Sequence, residues 1–162
     1  MTTLTTPPVS ITALHREYLP QIMAIEESNS MESNPVAGTW SKKDFMEVLA
    51  CPTHRGIVAW RGGKIIGFAI YCLSHDKIHV ANFAVHANFI NQGVGSQIIN
   101  KLKGNLKARR RVSLEIDIRE SNLRAQLFLK GHGFRAFCVC RNWFENPRQE
   151  DAYKFRYKLE EQ

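Results

Sequence analysis

At 162 residues, with 44% hydrophobic and 23% charged side chains, the chain has the balance of a folded domain and not of a disordered tail. One domain over residues 1–162 can bury roughly two thirds of the surface that its unfolded chain exposes. The net charge of +7 favours anionic ligands, and the longest apolar stretch, Ile65 to Leu73, falls far short of the ~20 residues of a membrane-spanning helix.

Met1 to Pro8 is rich in Thr and Pro, without a basic region followed by an apolar run, so no targeting segment is expected and the chain reads as cytoplasmic. Val9 to Ala13 alternates as a first strand. Glu17 to Ser28 sets Leu19, Ile22, Met23 and Ile25 at helical spacing, and Ser28 to Gly38 reads as a polar loop. Ser41 begins a second helix, because Ser41 and Asp44 have the spacing of a capping box, and Cys51-Pro52 ends it. Three strands follow. Ile57 to Trp60 turns through Arg61-Gly62-Gly63 into Lys64 to Leu73, which turns through Ser74-His75-Asp76 into Lys77 to Val85.

After Val85 the period changes from two to that of a helix. Val94, Ile98, Ile99, Leu102 and Leu106 share one helical face, behind a loop containing Gly93 and Gly95. Val112 to Ile118 alternates as a strand, Leu123 to Lys130 is a short helix stopped by Gly131-His132-Gly133, and Phe134 to Phe144 pairs with Ala152 to Leu159 around Asn146-Pro147. A strand, a glycine loop, a crossover helix and a parallel strand are therefore central. Bare amides at the start of a helix bind anions, so the candidate ligand carries phosphate. The P-loop lysine and the third glycine of the dinucleotide fingerprint are both missing, so the loop alone leaves that ligand open between a phosphate compound and no ligand at all.

The surrounding motifs narrow it. Asn82 to Leu106, with Ile90-Asn91-Gln92-Gly93-Val94-Gly95, resembles motif A of the GCN5-related N-acetyltransferase (GNAT) superfamily, and Glu120 to Phe134 resembles its motif B. Thr39 to Phe45 and Arg141 to Leu159 are similar to the second-helix start and the ending of RimI-like ribosomal-protein N-terminal acetyltransferases. The resemblance implies an α/β (α+β) GNAT fold: a mixed, mostly antiparallel sheet with a splayed parallel strand pair and flanking helices. It also implies acetyl-CoA as cosubstrate, with the loop amides of Asn91, Gln92, Gly93, Val94, Gly95 and Ser96 on its pyrophosphate. Phe83, Ala84 and Val85 lie along the pantetheine, and Asn122 takes the motif-B asparagine position, where it could equally be a helix N-cap. The loop's first position holds Ile90, where relatives carry Gln or Arg.

The resemblance places the general base on Asp117, with Glu115 as runner-up because both face one side of a strand. Asp117 could instead be structural, paired with Arg119 or a lysine. The family's acid position falls on Leu129, which has no proton to donate; His132 and Tyr153 are nearby substitutes that match no family position, and His79 and His86 read as surface histidines. The expected acceptor is a protein N-terminal α-amino group. A binding protein without turnover, a small-amine acetyltransferase and an RNA-associated module using Arg109 to Arg111 remain alternatives. The basic run Lys101, Lys103, Lys107 and Arg109 to Arg111 is either a solvated helix end or a patch near ribosome or RNA. Trp143 to Asp151 would shape the acceptor entrance. Cys51, Cys72, Cys138 and Cys140 lack zinc spacing and read as reduced thiols, Cys138 and Cys140 on one strand face; no metal is expected.

Overall fold

The computed structural model describes residues 5–32, 40–107, 110–145 and 148–160. Seven strands form one sheet in the order β1-β2-β3-β4-β5-β7-β6. They are β1 (Ser10–Ala13), β2 (His54–Arg61), β3 (Lys64–Leu73), β4 (Lys77–Val85), β5 (Ser113–Arg119), β6 (Arg135–Phe144) and β7 (Glu150–Lys158). Four helices flank it: α1 (Leu19–Glu32), α2 (Lys42–Ala50), α3 (Val94–Lys103) and α4 (Leu123–Gly131). All strand pairs are antiparallel except β4 with β5, the pair joined by the α3 crossover.

Two apolar cores separate the faces. On one, Val94, Ile98, Ile99 and Leu102 of α3 and Leu129 of α4 meet Ile78, Val80, Leu114, Ile116 and Ile118. On the other, Leu19, Ile22 and Ile25 of α1 and Phe45 of α2 meet Val58, Phe68 and Ile70. Alternation on β5 sends Leu114, Ile116 and Ile118 into the first core, so Glu115 and Asp117 emerge on the opposite face.

Several expected boundaries shift for identifiable reasons. The first helix begins as a single tight turn, Arg16–Tyr18, before α1 proper, whose second residue is Pro20, a position that needs no amide. It then runs on to Glu32, through part of the stretch expected to be loop; residues 33–39, including Thr39, lie outside the described residues. The Ser41–Asp44 capping box is complete, with Asp44 Oδ2 accepting from the Ser41 amide at 2.7 Å. α3 ends at Lys103, so Lys107, Arg110 and Arg111 are not on it as expected. Leu106 continues the apolar pattern from outside the helix and is still buried, which is why periodicity overran the end. Arg111 donates to the Ser74 carbonyl at 2.6 Å, so it is used in tying two turns together; Arg109 and the Asn146-Pro147 loop lie outside the described residues.

Candidate active site

Pairing between β4 and β5 stops at Val80↔Ile116, although β4 continues to Val85 and β5 to Arg119. The register of β4 against β3 skips Ala81, since Ile70 pairs with Asn82 and Tyr71 with Val80. One extra residue at this point bends β4 away from β5, as bulges do. Phe83, Ala84 and Val85 therefore keep β3 on one side while β5 no longer pairs with them on the other. One carbonyl of this segment is already engaged: Val85 accepts from Asn29 Nδ2 of α1 at 3.1 Å.

The chain leaves β4 into the loop expected to bind phosphate. Asn91 and Gly93 have φ of 60° and 80°, and a Cβ on Gly93 would meet nothing within 4 Å, so its glycine serves backbone conformation alone. Gly95 serves close approach instead. A Cβ there would stand 3.2 Å from the Phe128 ring and 3.4 Å from Phe83, two rings stacked at 5.9 Å. The first bond of α3 runs from the Gln97 amide to the Gly93 carbonyl, so the amides of Gly93, Val94, Gly95 and Ser96 precede the helical ladder. Val94 itself is buried and anchors this turn in the core.

Sequence reading missed the basic side chains around this loop. Arg61, the last residue of β2, donates to Gln92 Oε1 at 2.7 Å, and its buried Nε has no hydrogen-bond partner among the described residues. Arg124, on the first turn of α4, donates to Asn91 Oδ1 at 3.3 Å. Asn122 caps α4, accepting from the Ala125 amide at 3.1 Å, which accounts for it structurally. Ser96 Oγ lies 2.8 Å from His132 Nε2, while His132 Nδ1 lies 2.8 Å from the Phe128 carbonyl. A carbonyl only accepts, so Nδ1 carries the proton on that side, and Nε2 shares a hydrogen bond with the serine hydroxyl. The Ser96 hydroxyl is thereby directed to α4, leaving its amide for the loop.

At the inner end of the gap stands Asp117, the first β5 residue past the last β4 pair. His79 Nε2 lies 3.3 Å from its Oδ2, and Lys154 Nζ lies 3.3 Å from its Oδ1. The expected alternative partner, Arg119, instead binds Glu150 at 3.3 Å. Burial alone would raise the Asp117 carboxyl, but the hydrogen bond and charge of His79, then those of Lys154, hold it below the ordinary range. Its Oδ1 is buried and accepts no well-formed hydrogen bond from the described residues, despite the ammonium nearby. Glu115 is clamped harder. Arg156 Nη2 is 2.6 Å and Lys77 Nζ 3.1 Å from it, and against the upward push of burial these cations keep it ionised.

Leu129, at the family acid position, is 1% exposed and packs in the core with Phe134. Tyr153 lies opposite Ile118 against that same core, on the far side of the sheet from Asp117, and His132 is held at the start of α3. Neither is brought to Asp117. A further carboxylate does reach β4: Glu26 of α1 accepts from Asn82 Nδ2 at 2.7 Å, beside the skipped Ala81. Burial raises its pKa, with the bonds from Asn82 and the Trp40 backbone only partly offsetting this.

The parted strands, bare helix start and motif order agree with the comparisons to known proteins: the acetyltransferase (GNAT) family matches residues 19–134. The chain belongs to the acetyltransferase (GNAT) family. N-acetyl transfer is accordingly its class of activity, and a binding protein without turnover is not favoured. A curated relative, the [ribosomal protein bS18]-alanine N-acetyltransferase of Escherichia coli strain K12, is 27% identical over 123 residues, covering 75% of this chain and 82% of that one. The crystal structure of the ribosomal-protein-S18-alanine N-acetyltransferase from Escherichia coli shares the fold with a TM-score of 0.80 at 24% identity, covering 96% of each chain. Arabidopsis thaliana Naa50, solved with the bisubstrate analogue CoA-Ac-MVNAL, shares it with a TM-score of 0.75 at 16% identity, covering 93% of this chain and 99% of that one. The GNAT fold expected from the motifs is thus found, down to the single parallel strand pair. No described helix is long and apolar enough to cross a membrane, and no group of three or more metal-ligating side chains occurs among the described residues.

Proposed function

We propose that the chain transfers the acetyl group of acetyl-CoA to the α-amino group of a protein N-terminus, with Asp117 and His79 together receiving the amine's proton. The observation that carries this reading is the parting of β4 and β5 after Val80↔Ile116, with bare α3 amides at one end and Asp117 at the other. The residues at the outer end fit a pyrophosphate. Loop amides from Asn91 to Ser96 outside the helical ladder, two arginines, and an unpartnered buried Arg61 Nε supply donors and positive charge without acidic competition in the first turn. Phe83 to Val85 offer an extended edge for the pantetheine arm, and Asn122 stands at the start of α4, two residues before Arg124.

Acetyl-CoA, when bound, supplies the thioester carbon, to which the amine nitrogen bonds as the carbon–sulfur bond breaks. This chain's residues manage the proton. Asp117 points to the face opposite the α3–α4 core, so the acceptor must approach from that face. Among the described residues its Oδ1 lacks a proper hydrogen-bond donor and can hold the water or ammonium whose proton leaves, while an unprotonated His79 imidazole 3.3 Å from Oδ2 can accept that proton. Glu115 does not suit the role, because two close cations occupy its oxygens. An α-amino group of pKa ~8 is about a tenth neutral at pH 7, whereas a lysine of ~10.4 is well under a thousandth, so a base of modest strength serves an N-terminus better. The likeness to the Escherichia coli [ribosomal protein bS18]-alanine N-acetyltransferase and to Naa50, solved with a peptide-bearing analogue, supports an N-terminal acceptor.

The test is thiol release from acetyl-CoA with N-terminal peptides and small amines, for the wild type, Asp117→Asn and His79→Ala. Peptide turnover that falls about 100-fold in Asp117→Asn and at least tenfold in His79→Ala supports the pair. Turnover on small amines alone would move the acceptor to that class.

A further inference from the structure

We infer that the acceptor is a peptide with acidic residues just behind its N-terminus, held against a cationic face of β4, β5 and β7. The inference rests on the peptide-acceptor reading above, and concerns which peptide.

The face is the one that carries Asp117. Alternation places Glu115, Asp117 and Arg119 of β5 on it, and the register Asp117↔Lys154 and Glu115↔Arg156 adds β7 residues beside them. Lys77 joins from β4, and Glu150 with its partner Arg148 from the start of β7. Charges on this face are layered. The carboxylate side chains are inside, Glu115 at 5%, Asp117 at 12% and Glu150 at 2% exposed. Their cations lie outside: Lys77 at 38%, Arg156 at 41%, Lys154 at 24% and Arg148 at 59%, with Arg119 at 14%. Five cations cover three carboxylates of β5 and β7, and the Glu26 carboxyl of α1, which reaches the same face, is bonded to Asn82, so the surface an approaching peptide meets carries more positive than negative charge.

The cations are also held in place. Arg156 lies 3.9 Å over the Phe137 ring, Lys154 4.9 Å over Trp143, and Arg119 4.1 Å over Phe144. Fixed guanidinium and ammonium groups lose less freedom on binding a carboxylate than free ones do, and complementary charge sets which partner docks. A basic peptide tail would meet like charge here while its own amine must still reach Asp117. Charge of this sign also attracts RNA, but the acceptor on the reading above brings a basic aliphatic amine to Asp117, which a peptide N-terminus carries and a nucleic acid, with only aromatic amines, lacks.

The experiment uses the whole chain with acetyl-CoA and three peptides sharing the first two residues. The next three residues are acidic, neutral or basic, and thiol release gives kcat and KM for each. The expected result is kcat/KM about tenfold higher for the acidic peptide than for the neutral one, carried by KM, and shrinking as salt rises from 0.05 to 0.5 M. Arg148→Glu, which reverses one exposed charge of this face, should shrink that ratio at least threefold, with the change carried by KM for the acidic peptide. Equal use of the acidic and neutral peptides, or preference for the basic one, overturns the inference and leaves the peptide reading standing. An RNA oligonucleotide that binds tightly while peptide charge has no effect also overturns it. Turnover of small amines with no peptide accepted defeats the peptide reading itself, and the inference with it.

Discussion

Replacing Glu115 by glutamine removes one negative charge from beneath two cations while keeping the side chain's shape. The carboxylate side chain is 5% exposed and accepts from Arg156 at 2.6 Å and Lys77 at 3.1 Å. Hydrogen bonds to charged groups contribute about 1.5–3 kcal/mol each, but both cations are some two fifths exposed and would rehydrate, so a net loss of ~2–3 kcal/mol is expected. In a chain of this length that corresponds to roughly 5–10 °C in Tm. Asp117→Asn should behave in the opposite way. Its partners His79 and Lys154 are 32% and 24% exposed, so the loss of stability is about 1 kcal/mol or less, whereas the rate should fall about 100-fold. Thermal unfolding by circular dichroism and thiol release, measured on the same preparations at a temperature where both variants are folded, separate the two effects. A tenfold or greater loss of kcat/KM in Glu115→Gln, with Asp117→Asn near wild type, would refute the reasoning and move the base to Glu115.

The remaining expectations address cofactor loop, pH and acceptor. Gly93→Ala forces an L-residue into a φ of 80° without any clash, at roughly 1–2 kcal/mol, so KM for acetyl-CoA should rise about five- to thirtyfold with kcat little changed; an unchanged KM would disconnect the loop from the phosphates. Glu115, Asp117 and Glu150 are all held below their ordinary values, so their contribution is present above about pH 4.5 and lost as pH falls through their folded values. Urea midpoints should therefore drop steeply below about pH 4, and a flat profile there would contradict the pairing. Burial holds the Glu26 carboxyl above the ordinary glutamate range, so its contribution is present at low pH and lost as pH rises through the folded value; Glu26→Gln should remove that loss, and persistence of the same profile would show another group responsible. A peptide with a blocked N-terminus and a free lysine should be acetylated at least ~100-fold more slowly than its unblocked counterpart, from the neutral fractions of the two amines.

The strands β3 and β4 were legible to the residue because Arg61-Gly62-Gly63 and Ser74-His75-Asp76 frame them with turns that admit few alternatives. The end of α3 was not, because Leu106 keeps the helical spacing from beyond Gly104 and is buried by the same core. Periodicity reports which side chains are buried, and it cannot say whether the backbone carrying them is still helical. The loop amides were legible through glycine and motif order, and the structure gives the two glycines different reasons. Gly93 is there for its φ and Gly95 for the Phe128 and Phe83 rings. The partners of Asp117 could not be read, since His79 and Lys154 are 38 and 37 residues away and reach it only through parallel pairing on one side and antiparallel on the other. His79 looked like a surface histidine because nothing local marks a histidine whose partner comes from the next strand.

Leu129 explains how the remaining chemistry is divided. A tyrosine at that position would place a hydroxyl where this chain packs a leucine at 1% exposure against Phe134. The leucine strengthens the α4 contact with the sheet and gives up a proton donor for the departing thiolate. A thiol of pKa near 8.5 is a tolerable leaving group without one, so the loss falls on the easier half of the reaction. The harder half is taking a proton from the amine, and on the reading proposed above that task would fall to Asp117, with His79 and Lys154 against it at the point where β4 and β5 part. An acceptor already about a tenth neutral at pH 7 suits that division, because it asks least of the base and nothing of Leu129. The cationic rim around Asp117 adds a second bias, since carboxylates behind the N-terminus would draw the peptide in without competing for the base.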